Sequence, residues 1–157
     1  MRVLGVDPGY ERLGVAVLER GKNNIEHLIY SSCITSSKKD ELPDRLYTIG
    51  QAFNDLLNTH QVDMVAIETL FSNYNQKTVI GVAAVRGLII YLAKKAGCRV
   101  SEFGPQEIKV AVTGYGKSDK KAVTEMTKRL VDNPPEKALD DEYDAIATAL
   151  TALAHYR

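Results

Sequence analysis

The sequence predicts an α/β chain in which a mixed five-stranded sheet carries helices on its faces. Three observations lead there. The first thirty-five or so residues hold three strand-like runs separated only by turn-like breaks. After them, strand-like and helical patterns alternate, in the order βββ-α-β-α-β-α-α-α. The chain has 157 residues, enough for one compact unit with a real core.

The elements follow one by one. Arg2–Val6 is apolar and largely branched, and Asp7-Pro8-Gly9-Tyr10 has Pro and Gly where a type II turn takes them. Leu13–Glu19 and Ile25–Thr35 read as two further strands, parted at Gly21-Lys22-Asn23-Asn24, so the chain opens as an antiparallel meander. Residues 36–41 (SSKKDE) form a polar linker. Leu46, Ile49, Phe53, Leu56 and Leu57 share one helical face. Val62–Ile67 reads as a buried strand that ends at Glu68 and lies parallel to the first. Gln76–Lys95 is helical, but its apolar residues spread around most of the circumference, so it must be covered on more than one side. The sheet supplies one cover and a second copy of the chain the other, which predicts a homodimer with Ile80 and Ile89 at the contact. Arg99–Phe103 is the fifth strand, parallel to the first and fourth. Pro105–Val112 is a short helix and Ser118–Val131 a longer one. Asn133-Pro134-Pro135 breaks the chain before a final helix, Leu139–Tyr156. With no internal repeat, residues 1–157 are expected to form a single domain.

Composition excludes several classes. A hydrophobic content of 45% with 25% charged residues is ordinary for a globular chain. No span approaches the roughly 20 apolar residues of a membrane helix, and the N-terminus runs straight into a strand, so a cytoplasmic protein without membrane contact is expected. Cys33 and Cys98 lack metal-type spacing and read as buried free thiols on strand-like segments. The formal net charge is zero, yet residues 86–129 carry ten basic against four acidic side chains, a net of +6. Charges sorted in this way can hold a polyanion on one face, although solvated helix faces would give the same count.

Four carboxylates stand out, each with an ordinary explanation beside the chemical one. Asp7 ends the first strand, where Asp before Pro-Gly is also a good turn former. Glu68 ends a strand, where ligands collect in open α/β sheets. Asp141 and Asp144 lie three apart at the start of the final helix and so share a face, while acids there also complement the helix dipole, as Asp140 and Glu142 are expected to do. Ala145, Ala147, Ala149 and Ala152 allow that helix to approach the sheet closely. Packed across the ends of the first and fourth strands, it brings all four acids to one spot. At about 4 Å two carboxylates repel by roughly 4 kcal/mol at an effective dielectric near 20, so such a cluster calls for cations or protons. Oxygen-only ligands suit Mg²⁺ or Mn²⁺, and His27, His60 and His155 fit no metal pattern. Gly116-Lys117-Ser118 imitates the end of a P-loop but lacks the earlier glycine and a preceding strand.

The segments VLGVDPGYERLGVAV, VAIETLF and DDEYDAIATAL, in this order, resemble the three acidic motifs of the RuvC Holliday junction resolvases, within the RNase H-like superfamily. The resemblance runs over essentially the whole chain. It implies an RNase H-like fold and an endonuclease that resolves four-way DNA junctions in recombination and repair by paired nicks on opposite strands. It implies two Mg²⁺ ions per active site, with Mn²⁺ as substitute, held by Asp7, Glu68, Asp141 and Asp144. It matches Phe71 to an aromatic that touches the unpaired junction centre, and Lys109 and Lys120 to residues that contact the DNA backbone. In that basic loop Lys117 and Lys121 could exchange roles with Lys120. A C2 dimer suits the two-fold symmetry of a junction, and a branch-migration motor complex is the partner the family implies. Three rivals are another RNase H-like nuclease, such as one that trims ribosomal RNA precursors; a two-domain ATP-binding phosphotransferase, for which this chain has room for only one half; and a non-catalytic DNA-binding module, which has no reason to gather four acids beside phosphate.

Overall fold

The computed structural model describes residues 1–9, 11–20, 25–69 and 76–156. Tyr10, the turn at 21–24 and Phe71 lie outside them. The elements run β1 (Arg2–Asp7), β2 (Arg12–Glu19), β3 (Glu26–Thr35), α1 (Leu42–His60), β4 (Met64–Glu68), α2 (Gln76–Lys95), β5 (Arg99–Phe103), α3 (Pro105–Thr113), α4 (Lys120–Leu130), β6 (Val131–Asp132) and α5 (Asp140–His155). The sheet order is β5-β4-β1-β2-β3-β6. β1 pairs antiparallel with β2 and β2 with β3, while β4 runs parallel to both β1 and β5.

The sheet therefore has six strands where the sequence predicts five. The sixth pairs parallel with β3 through Glu26–Val131 and His27–Asp132. Asp132 secures it: its carboxylate accepts the Leu28 N–H at 2.8 Å and contacts the His27 ring. A two-residue strand has no alternation to read, and its first residue, Val131, fits the end of the preceding helical pattern equally well. Cys98 is buried but precedes β5 rather than lying on it, its thiol donating to the Val62 carbonyl; Cys33, on β3, is only half-buried.

Strand alternation sorts the core onto two faces. Leu4, Val6, Val15, Val17, Val65 and Ile67 pack with Ile49 and Phe53 of α1 and Val85 and Ile89 of α2. Val3, Ala16, Leu18, Met64 and Ala66 pack beneath α5, with Ile108 of α3 and Val123 of α4 alongside. Helix α2 seats Val82, Val85, Ile89 and Ala93 on the sheet side, and leaves Ile80, Ala83, Gly87 and Tyr91 exposed along one outer stripe. Ile89 thus belongs to the core and not to the outer surface, whereas Ile80 is 63% exposed. The spacing of 3 to 4 residues accounts for both groups.

Helix α5 lies unusually close to the sheet, because the strand residues below it are small. A Cβ added at Gly5 would fall 2.1 Å from the Ala145 carbonyl oxygen and 2.8 Å from the Ala149 Cβ. One added at Gly14 would fall 1.9 Å from the Asp141 carbonyl oxygen. The helix is pinned at both ends: Ser31 Oγ donates to Glu142 at 2.5 Å near its start, and Arg20 Nη2 donates to the Leu153 carbonyl at 2.7 Å near its end. Gly5→Ala is expected to lower unfolding free energy by at least the roughly 1–3 kcal/mol of an overpacked core, measured by urea denaturation. Unchanged stability would mean that α5 can retreat from the sheet freely.

Candidate active site

The same alternation that builds the core aims the first two carboxylates. Val3, Gly5 and Asp7 share one face of β1, and Met64, Ala66 and Glu68 the corresponding face of β4, both under α5. Val6 and Ile67 are register partners, so Asp7 and Glu68 follow one residue later at neighbouring C-terminal strand ends. Asp141 and Asp144 project from the first turns of α5, whose N-cap, Leu139, offers no side-chain oxygen to its leading N–H groups. The acids of that turn supply the negative charge which the exposed helix start favours. Asp140 stays at the surface and Glu142 turns away to Ser31.

These four groups feel one another. Burial, then Glu68, Asp144 and Asp141, push the Asp7 carboxyl from its ordinary 3.8 up to about 8. Burial and Asp144 push Glu68 up to about 7, against the opposing pull of Lys120 and Lys109. Asp144 is also raised, mainly by burial, although Lys120 counteracts it. Burial works against the Lys120 ammonium, but its partners Asp144 and Asp140 prevail and raise its pKa.

Two cations of the chain itself answer this negative charge. Lys120 Nζ lies 3.0 Å from Asp144 and 3.4 Å from Asp140. Arg12 Nε lies 3.1 Å from Asp141 Oδ2. That contact is an ion pair off the N–H axis, so Asp141 Oδ2 is buried without a hydrogen-bond donor. With Asp141 and Asp144 drawn toward Arg12 and Lys120, no three His, Cys, Asp or Glu groups among the described residues are gathered to hold one ion. The donor set nevertheless fits a hard divalent cation. It is all oxygen, it includes an orphaned buried carboxylate atom, and burial with neighbouring carboxylates raises two of its members well above the ordinary carboxylate range.

Clefts open on both sides. One of about 220 Å³ is lined by Glu68, Pro105, Ile108, Lys109, Lys120 and Asp144. The other, of about 320 Å³, is lined by Asp7, Gly9, Arg12, Thr78, Val82 and Asp141 among others. Of the lysines that the sequence could not tell apart, Lys120 borders the acidic centre, whereas Lys117 and Lys121 are exposed on the adjoining surface. Lys109 lines the first cleft beside Glu68. The sequence reading passed over Arg12; the available signal was a cation just beyond the Asp7 turn, one strand away from the acids. It passed over Gly5 and Gly14 too, the halves of the contact that face the helix alanines.

The family described as Crossover junction endodeoxyribonuclease RuvC matches residues 3–152. Proteins of that description from Finegoldia magna and Caldanaerobacter subterraneus are 43% and 39% identical over 150 residues, 96% of this chain and 91% and 90% of theirs. Thermus thermophilus RuvC, solved in complex with Holliday junction substrate, superposes with a TM-score of 0.94 at 25% identity, covering 100% of this chain and 95% of that one. A yeast mitochondrial Holliday junction resolvase shares the fold, with a TM-score of 0.69 at 16% identity over 99% of this chain and 82% of its own. The chain belongs to the RuvC family.

The raised carboxyls give stability a pH dependence. Unfolded, Asp7 and Glu68 lose their protons near the ordinary 3.8 and 4.5, whereas folded they keep them to about 8 and about 7. The folded state binds more protons across that interval, so their contribution is fully present below the lower values and is lost as pH rises through the upper ones. In EDTA the melting temperature is expected to fall between pH 5 and pH 8, and Asp7→Asn to flatten that fall. A melting temperature that rises steadily over this range would refute the coupling.

Proposed function

We propose that this chain, as a member of the RuvC family, is an endonuclease that resolves four-way DNA junctions by paired nicks on opposite strands, in recombination and repair. The observation that carries the reading is the convergence of Asp7 and Glu68, at neighbouring strand ends, with Asp144 and Asp141 on the helix clamped above them. Such an acidic centre has little use in a module that only binds DNA, since it repels phosphate unless positive charge accompanies it.

Asp7, Glu68, Asp141 and Asp144 are the residues that would hold two Mg²⁺ ions, or Mn²⁺ in their place. When bound, the ions supply a water activated for in-line attack and positive charge to stabilise the leaving 3′ oxygen. Asp7 lies among the other three acids, each of which adds to the rise of its pKa. The chain's own groups do the remainder. Lys109 and Lys120 line the cleft on the Glu68 and Asp144 side and bind the DNA backbone. Lys117 and Lys121 extend that basic surface. Phe71, three residues beyond Glu68, stacks on a base exposed at the junction centre, the role its counterpart has in the family.

The molecule acts as a single domain and as a homodimer, in keeping with the two-fold symmetry of its substrate. The outer stripe of α2 supports this: Ile80 and Tyr91 flank the small Ala83 and Gly87 in an exposed, largely apolar surface on which a second α2 can lie. A branch-migration motor is the partner that supplies junctions to such an enzyme in the cytoplasm. No helix among the described residues is long and apolar enough to cross a membrane.

Two experiments test the reading. Asp7→Asn, Glu68→Gln, Asp141→Asn and Asp144→Asn should each abolish or severely reduce cleavage of a synthetic junction in Mg²⁺ while leaving junction binding intact. Asp140→Asn, at the solvated surface, should cut normally. Full activity in all four variants would sink the nuclease assignment. Ile80→Lys should give a folded monomer by sedimentation, since a charge forced into an apolar contact without a partner is expensive, whereas Ile89→Lys should not fold. A wild-type chain that is monomeric at micromolar concentration, with and without junction DNA, would refute the dimer.

A further inference from the structure

Besides the lysine-lined cleft, the acidic centre borders a second cleft on the side of Asp7 and Asp141, to which the basic stretch 86–129 contributes none of the lining. A DNA strand crossing the centre reaches beyond it in both directions, and phosphates leaving by this second side need a cation there. Arg12 is the basic residue of that lining.

Its present engagement is a weak one. The Arg12 side chain is 53% exposed and that of Asp141 25%. The ion pair is made through Nε at 3.1 Å, and Asp141 Oδ2 gains no aligned hydrogen bond from it. A pair exposed on the arginine side and made without an aligned hydrogen bond contributes modestly. The guanidinium fork is better matched to two phosphate oxygens than to a single carboxylate oxygen met off-axis. The backbone around it is closely packed, however: a Cβ at Gly9 would fall 2.1 Å from the Arg12 carbonyl oxygen, and Gly14 is pressed against Asp141. Arg12 thus begins β2 on a closely packed backbone beside the cleft.

We propose that Arg12 is a phosphate-binding residue held in reserve. It neutralises Asp141 while the centre lacks divalent cations, and passes to a backbone phosphate of the DNA strand once a cation takes that carboxylate. The cation and the arginine compete for Asp141, so filling the centre and gripping the strand on its second side are one linked event. The inference rests on the reading of the site as a nuclease centre, and it adds a DNA contact outside the basic stretch.

The test compares the full-length wild type with Arg12→Gln in two measurements that involve no cleavage. In the first, Mn²⁺ is titrated calorimetrically without DNA; the variant is expected to bind about two- to fivefold more tightly, the worth of an exposed ion pair that no longer has to be broken. In the second, the salt dependence of binding to a synthetic four-way junction is measured in EDTA and with Ca²⁺ in place of Mg²⁺. The log–log slopes should coincide in EDTA, and in Ca²⁺ the variant's should be shallower by about one unit. Equal slopes in both conditions, or equal or weaker Mn²⁺ binding by the variant, would overturn the proposal. A variant slope shallower by the same amount in EDTA would show a permanent contact and overturn the switch. A wild type that binds neither Mn²⁺ nor the junction would instead overturn the nuclease reading, and this inference with it.

Discussion

The approach of helix α5 to bare backbone is the constraint on which the molecule depends. Where Gly5 and Gly14 meet Ala145, Ala149 and the Asp141 carbonyl, no side chain lies between helix and sheet to take up slack. Dispersion contacts fall away over fractions of an ångström, and a carboxylate a few residues along the helix moves with the helix. The core beneath α5 and the acid cluster at its start are therefore set by one contact. The rest of the fold serves it. Alternation along β1 and β4 puts small residues under the helix and acids at the strand ends, and hydrogen bonds from Ser31 and Arg20 hold the helix at either end.

Much of this was legible in the sequence, and the parts that were not have physical reasons. The long elements carry strong periodicity, so α2 and β5 have the bounds their patterns predict, and the alanines of α5 announced a close approach. The four acids could be brought together on paper because strand ends and a helix face are fixed by spacing alone. Three features were hidden. Gly5 and Gly14 sit inside apolar strand runs, where a glycine looks neutral until the helix above it is known. β6 is two residues long and exists because the Asp132 side chain captures the His27–Leu28 edge, a tertiary event with no local pattern. Arg12 pairs with a residue 129 positions away in the chain, which spacing cannot reveal. For α2, the mixture of core and surface apolar residues was visible, but the assignment of Ile89 to one or the other needed the sheet.

Charge is balanced locally rather than globally. The excess of +6 over residues 86–129 is partly spent within the fold: Arg86 contacts Glu102, Lys128 contacts Glu125, and Lys120 neutralises Asp144. The surface available to a polyanion is smaller than the count implies, and its strongest part adjoins the acids. That proximity has a chemical logic. A nuclease must bring a phosphate, its counter-cations and a set of carboxylates to one place, so it needs basic groups that compensate the acids when the substrate is absent and attract the substrate when it arrives.

Helix α4 carries Lys120 in its first turn and runs directly into β6 at its last. Its 11 residues span about 16 Å at 1.5 Å per residue. One end of this rod stands at the carboxylates and the other is bolted to the outermost edge of the sheet through Asp132, His27 and Leu28. The rod is a strut whose footing lies away from the carboxylate cluster. The position of Lys120 is thereby tied, through one short helix, to a strand edge at the far side of the sheet. Sequence drift at that edge can retune the centre while every residue around the carboxylates stays the same.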